Sequence, residues 1–148
     1  MATSSHPQLT GRALITGGTS GIGLEFARQL AERGLDLVLV ARSGDRLERT
    51  AKQLEWRYGI DVETLEADLE REPDRARVVT RLSDENEPIE VFVNNAGAGL
   101  YEPLVTEDLE PHRKALEVML WAVLELGAAA SVAMKSRGHG VIINTASV

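Results

Sequence analysis

The 148 residues contain no cysteine, which excludes a disulfide framework, a thiolate nucleophile and a cysteine-rich zinc site. No basic run appears, and the net charge is −7; that balance argues against a nucleic-acid surface and mainly promotes solubility. Also missing is any charge-free apolar stretch of the ~18 residues needed to span a bilayer. The first residues lack the basic and apolar halves of a signal peptide. These absences leave the cytoplasm as the expected compartment, with neither nucleic acid nor membrane as partner.

The remaining composition, 43% hydrophobic and 26% charged, is that of a globular protein large enough for one core. Residues 1–11 are polar, with Ser4, Ser5, His6 and Pro7, and read as a loose lead-in to a single domain over 12–148. His6 beside Pro7 reads as solvated.

The informative stretch is Leu14-Ile15-Thr16-Gly17-Gly18-Thr19-Ser20-Gly21-Ile22-Gly23. Arg12 to Thr16 suits a buried parallel strand, and Leu24 to Leu30 has helical apolar spacing. A strand turning into a helix this tightly needs positions without a Cβ, and so does a backbone that lets a diphosphate approach the first helical N–H groups. A Walker loop is excluded because Leu24, not Lys, follows Gly23. The G-x-G-x-x-G spacing does not fit Gly17, Gly21 and Gly23 either. The order Thr-Gly-x-x-x-Gly-Ile-Gly resembles the short-chain dehydrogenase/reductase (SDR) family. By that resemblance Gly17, Thr19, Ser20, Gly21, Ile22 and Gly23 form a cofactor-binding turn; a structural turn without ligand is the competing reading.

A first helix is expected over about 22–33, with Leu24, Ala27, Leu30 and Ala31 on one face and Gly34 as a left-handed cap. Leu35 to Ala41 is a second buried strand, ending at Arg42 and Ser43 without a carboxylate. In a dinucleotide site this strand end lies beside the adenosine ribose, where arginine accommodates the 2′-phosphate of NADP. NADP(H) is therefore expected over NAD(H), against the alternative of a solvated Arg42 at a helix start. A second helix follows over about 45–58, with Leu47, Ala51, Leu54 and Trp56 as its packed side and Gly59 as its stop. The third strand, 62–65, leads to Asp68 and Leu69. Resemblance carries these two over as adenine contacts, while a cap for the next helix, 70–84, would equally suit Asp68.

Ile89 to Val93 is the fourth strand, running into Asn94-Asn95-Ala96-Gly97. Small residues there allow close passage of a cofactor, and an Asn at a strand end can tie neighbouring strands. By resemblance Asn94 steadies the sheet and Asn95, Ala96 and Gly97 line the cofactor; a plain turn is the alternative. Beyond Thr106 a short turn with Pro111 precedes a long helix. Its Leu116, Met119, Leu120, Val123, Leu124, Leu126 and Ala130 cover much of the girth, which predicts burial on two sides. Val141 to Val148 reads as the fifth strand.

Five βα units in this order predict an α/β fold: a Rossmann-type doubly wound parallel sheet in three layers, with strand order 3-2-1-4-5, truncated after the fifth strand. Gly17, Arg42, Asp68, Asn95 and Ser147 should emerge on its carboxyl rim. The resemblance covers nearly everything from Gly11 on. It implies hydride transfer between nicotinamide and a small-molecule carbonyl or alcohol, with Ser147 of Thr145-Ala146-Ser147-Val148 polarising the oxygen, and a homo-oligomer for a full-length chain.

Two departures stand out. The family's Tyr-x-x-x-Lys element is not in the 148 residues; Tyr58 and Tyr101 have Val62 and Val105 at the fourth following place. Met119 also stands where the family often has an Asn that relays a proton. The expectation is thus an NADP(H)-dependent oxidoreductase seen as its cofactor-binding portion, with a non-catalytic NADP(H)-binding or sensing module as the alternative. A nucleotide-sugar epimerase relative is disfavoured by the glycine spacing.

Overall fold

The structure is a computed structural model that describes residues 10–99 and 101–146. Its core is a five-stranded parallel sheet: β1 (Arg12–Thr16), β2 (Asp36–Ala41), β3 (Val62–Glu66), β4 (Ile89–Asn94) and β5 (Val141–Asn144). The strand order is β3-β2-β1-β4-β5, the order expected. The helices are α1 (Gly21–Glu32), α2 (Gly44–Tyr58), α3 (Glu72–Leu82), α4 (Glu110–Leu116) and α5 (Ala122–Arg137), with a π-helical turn over Glu117–Trp121 joining the last two. Of the lead-in expected for 1–11, residues 1–9 lie outside the described residues.

The central strands bury both faces, and alternate residues divide between two cores. Ala13, Ile15, Leu37, Leu39, Val91 and Val93 pack with Ala27, Leu30 and Ala31 of α1 and Leu47 and Leu54 of α2. On the other face Leu14, Val38, Val40 and Phe92 pack with Val78 and Leu82 of α3 and Ala122, Leu126 and Ala130 of α5. Each fully buried large side chain contributes about 1.5–3 kcal/mol, which explains why these strands are almost unbroken apolar runs. The chain moves outward from β1 to β3 and then crosses to the other side of β1 to make β4. The crevice between the carboxyl ends of β1 and β4 is therefore a topological switch point.

Two packing expectations are corrected. Trp56 does not belong to the packed side of α2; it is 89% exposed, while Thr50 joins Leu47, Ala51 and Leu54 in the buried stripe. Nor is the long helix buried on two sides. Ala115, Val118, Ala122, Leu126, Ala130 and Met134 form one buried stripe, and Leu116, Met119, Leu120 and Leu124 are exposed. Among the described residues one sheet face and α3 receive this helix, so one face is what it buries.

By length and composition the continuous helix Glu110–Arg137 could cross a bilayer; its most apolar window has a mean hydropathy of 1.6 and is 28% buried. Glu117 and Glu125 interrupt its apolar run, and both carboxylates meet Arg75 of α3. The fifth strand ends at Asn144, short of the expected Val148.

Candidate functional site

Beyond β1 the chain turns at Gly17, whose φ of +68° is left-handed, a conformation that glycine adopts without steric cost. A Cβ on Gly23 would sit 2.2 Å from the Gly17 carbonyl oxygen and 2.5 Å from Asn95 Nδ2, so helix α1 can enter this close only as glycine. The Gly17 amide donates to Val40 O at 2.8 Å and pins the turn against β2.

The first intrahelical bond of α1 runs from the Leu24 amide to Ser20 O at 3.1 Å, so the N–H groups of Gly21, Ile22 and Gly23 find no partner within the helix. The Ser20 side chain makes no cap bond, and no acidic residue occupies the first turn of α1. By contrast α2 carries Asp45 there, and α3 carries Glu72 and Asp74. An uncapped helix start with no carboxylate of its own is the donor set that a pyrophosphate fits.

The turn is held by the last residue of β1. Thr16 is fully buried, and its hydroxyl accepts from the Asn95 amide at 2.9 Å and the Ala96 amide at 3.0 Å. Asn95 Nδ2 donates to Thr16 O at 3.1 Å, and Asn95 Oδ1 accepts from the Thr145 hydroxyl at 3.2 Å. Asn94 Nδ2 donates to Val123 O at 3.1 Å. Both asparagines therefore act as ties: Asn94 joins β4 to α5, and Asn95 joins β4 to β1 and to the segment after β5. A buried threonine at a strand end, opposite an Asn-Asn pair, was the available signal.

These elements surround a cavity of about 400 Å³, a size suited to a cofactor. Gly17, Thr19 and Ser20 line it from the turn, Arg42 from the end of β2, Asp68 and Leu69 from beyond β3, and Asn95, Ala96 and Gly97 from beyond β4. Gly21, Ile22 and Gly23 are not among its lining residues; Ile22 is 65% exposed on the first turn of α1. Ser147 lies outside the described residues. Eight lining residues were not foreseen: Val40, Ala41, Ser43, Arg46, Ala67, Glu70, Ala98 and Val118. Arg46 had a signal in the sequence, since it stands in the first turn of the helix that Arg42 precedes. Ser43 caps that helix, its hydroxyl accepting from the Arg46 amide at 3.4 Å. Val118 had none, because its place depends on the π-helical turn. Met119, beside it, is exposed and does not line the cavity.

Asp68 lines the cavity but does not cap the next helix: α3 begins after Arg71 without a side-chain cap bond. Asp68 instead forms a local turn ahead of it, its Oδ1 accepting from the Glu70 amide at 3.1 Å. Its own amide donates to Asp74 Oδ2 at 2.8 Å. That bond, aided by Arg77, holds the Asp74 carboxyl below its usual range against the opposing effect of burial.

The family model for short chain dehydrogenase matches residues 12–148. A 3-dehydrosphinganine reductase of Arabidopsis thaliana is 37% identical over 125 residues, covering 84% of this chain and 37% of that protein. Among solved structures, a short-chain dehydrogenase from Sphingobium yanoikuyae in complex with NADPH is 38% identical with a TM-score of 0.88, covering 93% of this chain and 54% of that one. A bulky-bulky ketone specific alcohol dehydrogenase from Comamonas testosteroni is 34% identical with a TM-score of 0.89, covering 95% and 56%. The chain thus spans about half the length of these solved relatives.

Proposed function

From a chain that belongs to the short-chain dehydrogenase/reductase family, we propose an NADP(H)-dependent oxidoreductase, of which these residues carry the cofactor-binding part. The observation that carries the proposal is the pair of arginines, Arg42 and Arg46, on one side of a cavity whose other walls are the Gly17 turn and Asn95 to Gly97. Neither arginine forms an ion pair among the described residues. Two guanidinium groups without carboxylate partners at the end of β2 suit a 2′-phosphate better than a ribose hydroxyl, which a carboxylate would bind. The NADPH held by the Sphingobium relative supports the same reading.

In this proposal the N–H groups that open α1 and the Ser20 hydroxyl bind the pyrophosphate, and Arg42 and Arg46 bind the 2′-phosphate. Asp68 and Leu69 flank the adenine, and Asn95, Ala96 and Gly97 pass against the nicotinamide ribose. When bound, the dinucleotide would supply a hydride to a carbonyl carbon or accept one from an alcohol carbon. The protein's part is to fix its position, and the Thr16–Asn95 ties make that position rigid before binding. Ser147 is assigned the carbonyl oxygen by family resemblance. The substrate class is a small carbonyl or secondary alcohol, the compartment the cytoplasm and the assembly a homo-oligomer.

The test is titration with NADPH and NADH of wild type and Arg42→Ala. Tighter binding of NADPH, lost in the variant, is expected. Equal affinity for the two dinucleotides in the wild type would remove the cofactor assignment.

A further inference from the structure

Arg75 of α3 is the only charged residue in the buried class among the described residues, at 4% exposure. A guanidinium is costly to bury, and an apolar side chain of similar volume often serves stability as well. Its bonds suggest what it is for. Nη1 donates to Leu69 O at 2.9 Å and Glu70 O at 3.2 Å. Nε donates to Glu125 Oε2 at 2.7 Å, and Nη1 stands 3.2 Å from Glu117 Oε2. Leu69 and Glu70 line one wall of the cavity, and Val118, next to Glu117, lines it too. One buried side chain therefore joins the segment after β3 to the π-helical turn of the long helix.

Leu69 belongs to the same apolar core as Val118, but apolar packing is non-directional, so the polar ties decide the spacing. Asp74 receives the Asp68 amide, and Asp68 receives the Glu70 amide, but both bonds lie within the β3–α3 connection and its own helix. Neither sets the distance to Val118. Arg75 does, because it bonds both sides at once.

We infer that Arg75, held by Glu117 and Glu125, is a positioning residue that fixes the spacing between the Asp68–Glu70 segment and Val118, and with it the slot for the adenine ring. The inference rests on the dinucleotide reading above. Arg75 touches neither the ligand nor the reacting atoms; it acts through the two walls.

The experiment is calorimetric titration of adenosine 2′,5′-bisphosphate into wild type, Arg75→Lys and Leu82→Ala, with the denaturation midpoint of each. A lysine keeps the charge but cannot reach two carbonyls and two carboxylates together. Arg75→Lys should weaken binding about tenfold, the scale of a lost charged hydrogen bond. Leu82→Ala leaves core space at the far end of α3. It should lower the midpoint at least as much yet change affinity by less than about twofold, since sites without shared partners act independently. Unchanged binding by Arg75→Lys, or equal weakening by Leu82→Ala, overturns the inference and leaves the cofactor reading intact. A wild type that does not bind the bisphosphate overturns both. If Arg75→Lys does not fold, Glu125→Gln carries the test, with about threefold weakening expected for a weakened charge-assisted bond and unchanged affinity as the refuting result.

Discussion

At the amino ends of the strands Arg12 meets Glu87 at 2.7 Å, Glu63 at 3.7 Å and Asp36 at 4.0 Å, and Arg81 meets Glu63 at 2.9 Å. At the carboxyl ends Arg42 and Arg46 face a cavity with no carboxylate partner among the described residues, beside a helix start whose amides are uncapped. The charges at the amino edge answer one another and close the sheet. Those at the carboxyl rim have no ion-pair partner among the described residues to answer them, a condition that favours binding an anion. Under the proposed function one sheet thus separates stability from binding by strand direction, because only the carboxyl ends lead into helix N-termini.

The sharpest way to break this contrast is Gly23→Ala. A methyl group 2.2 Å from Gly17 O and 2.5 Å from Asn95 Nδ2 must push the helix away from the turn. Loss of NADPH affinity by about 100-fold, near 3 kcal/mol, is expected from titration; retained affinity would mean the turn is not the pyrophosphate site. Arg42→Ala comes next, weakening NADPH about tenfold while leaving NADH unchanged. A similar loss for both would show that the arginine does not read the 2′-phosphate.

Arg12→Ala probes the opposite edge. Removing a half-buried cation from three carboxylates should lower unfolding free energy by about 1–2 kcal/mol, between the values for exposed and buried pairs. Denaturant melts should show that loss with NADPH affinity unchanged, and a drop in affinity would erase the proposed division of the sheet.

The smallest effect concerns pH. Because the Asp74 carboxyl is held below its usual value of 3.8, its stabilising bond to the Asp68 amide is fully present above 3.8. It is lost as the pH falls through the lower folded value. The stability gap between wild type and Asp74→Asn should therefore be open at neutral pH and close as the pH falls through the lowered folded value. A gap that widens in acid would contradict the assignment.

Local pattern carried much of the architecture. Short apolar runs marked β1 and β2 as strands buried on both faces, and turn chemistry placed Gly17, Gly34 and Gly59, all with positive φ. Trp56 misled because apolar spacing on α2 marks a stripe without saying how wide the partner surface is. Leu116, Met119, Leu120 and Leu124 misled in the same way, since an apolar helix is buried only where the fold supplies something to cover it. Val118 was missed because it reaches the cavity through a π-helical turn that no local spacing marks.

By itself the sequence determined the order of strands and helices, the glycine turn and the residue types on the carboxyl rim, because these follow from short-range sterics and from the right-handedness of parallel crossovers. The tertiary structure alone decided which polar groups are left without partners. Thr16 meets Asn95 across 79 positions of chain, and Arg75 meets Glu125 across 50. Contacts over such separations depend on how whole layers settle against the sheet, and no local spacing encodes them.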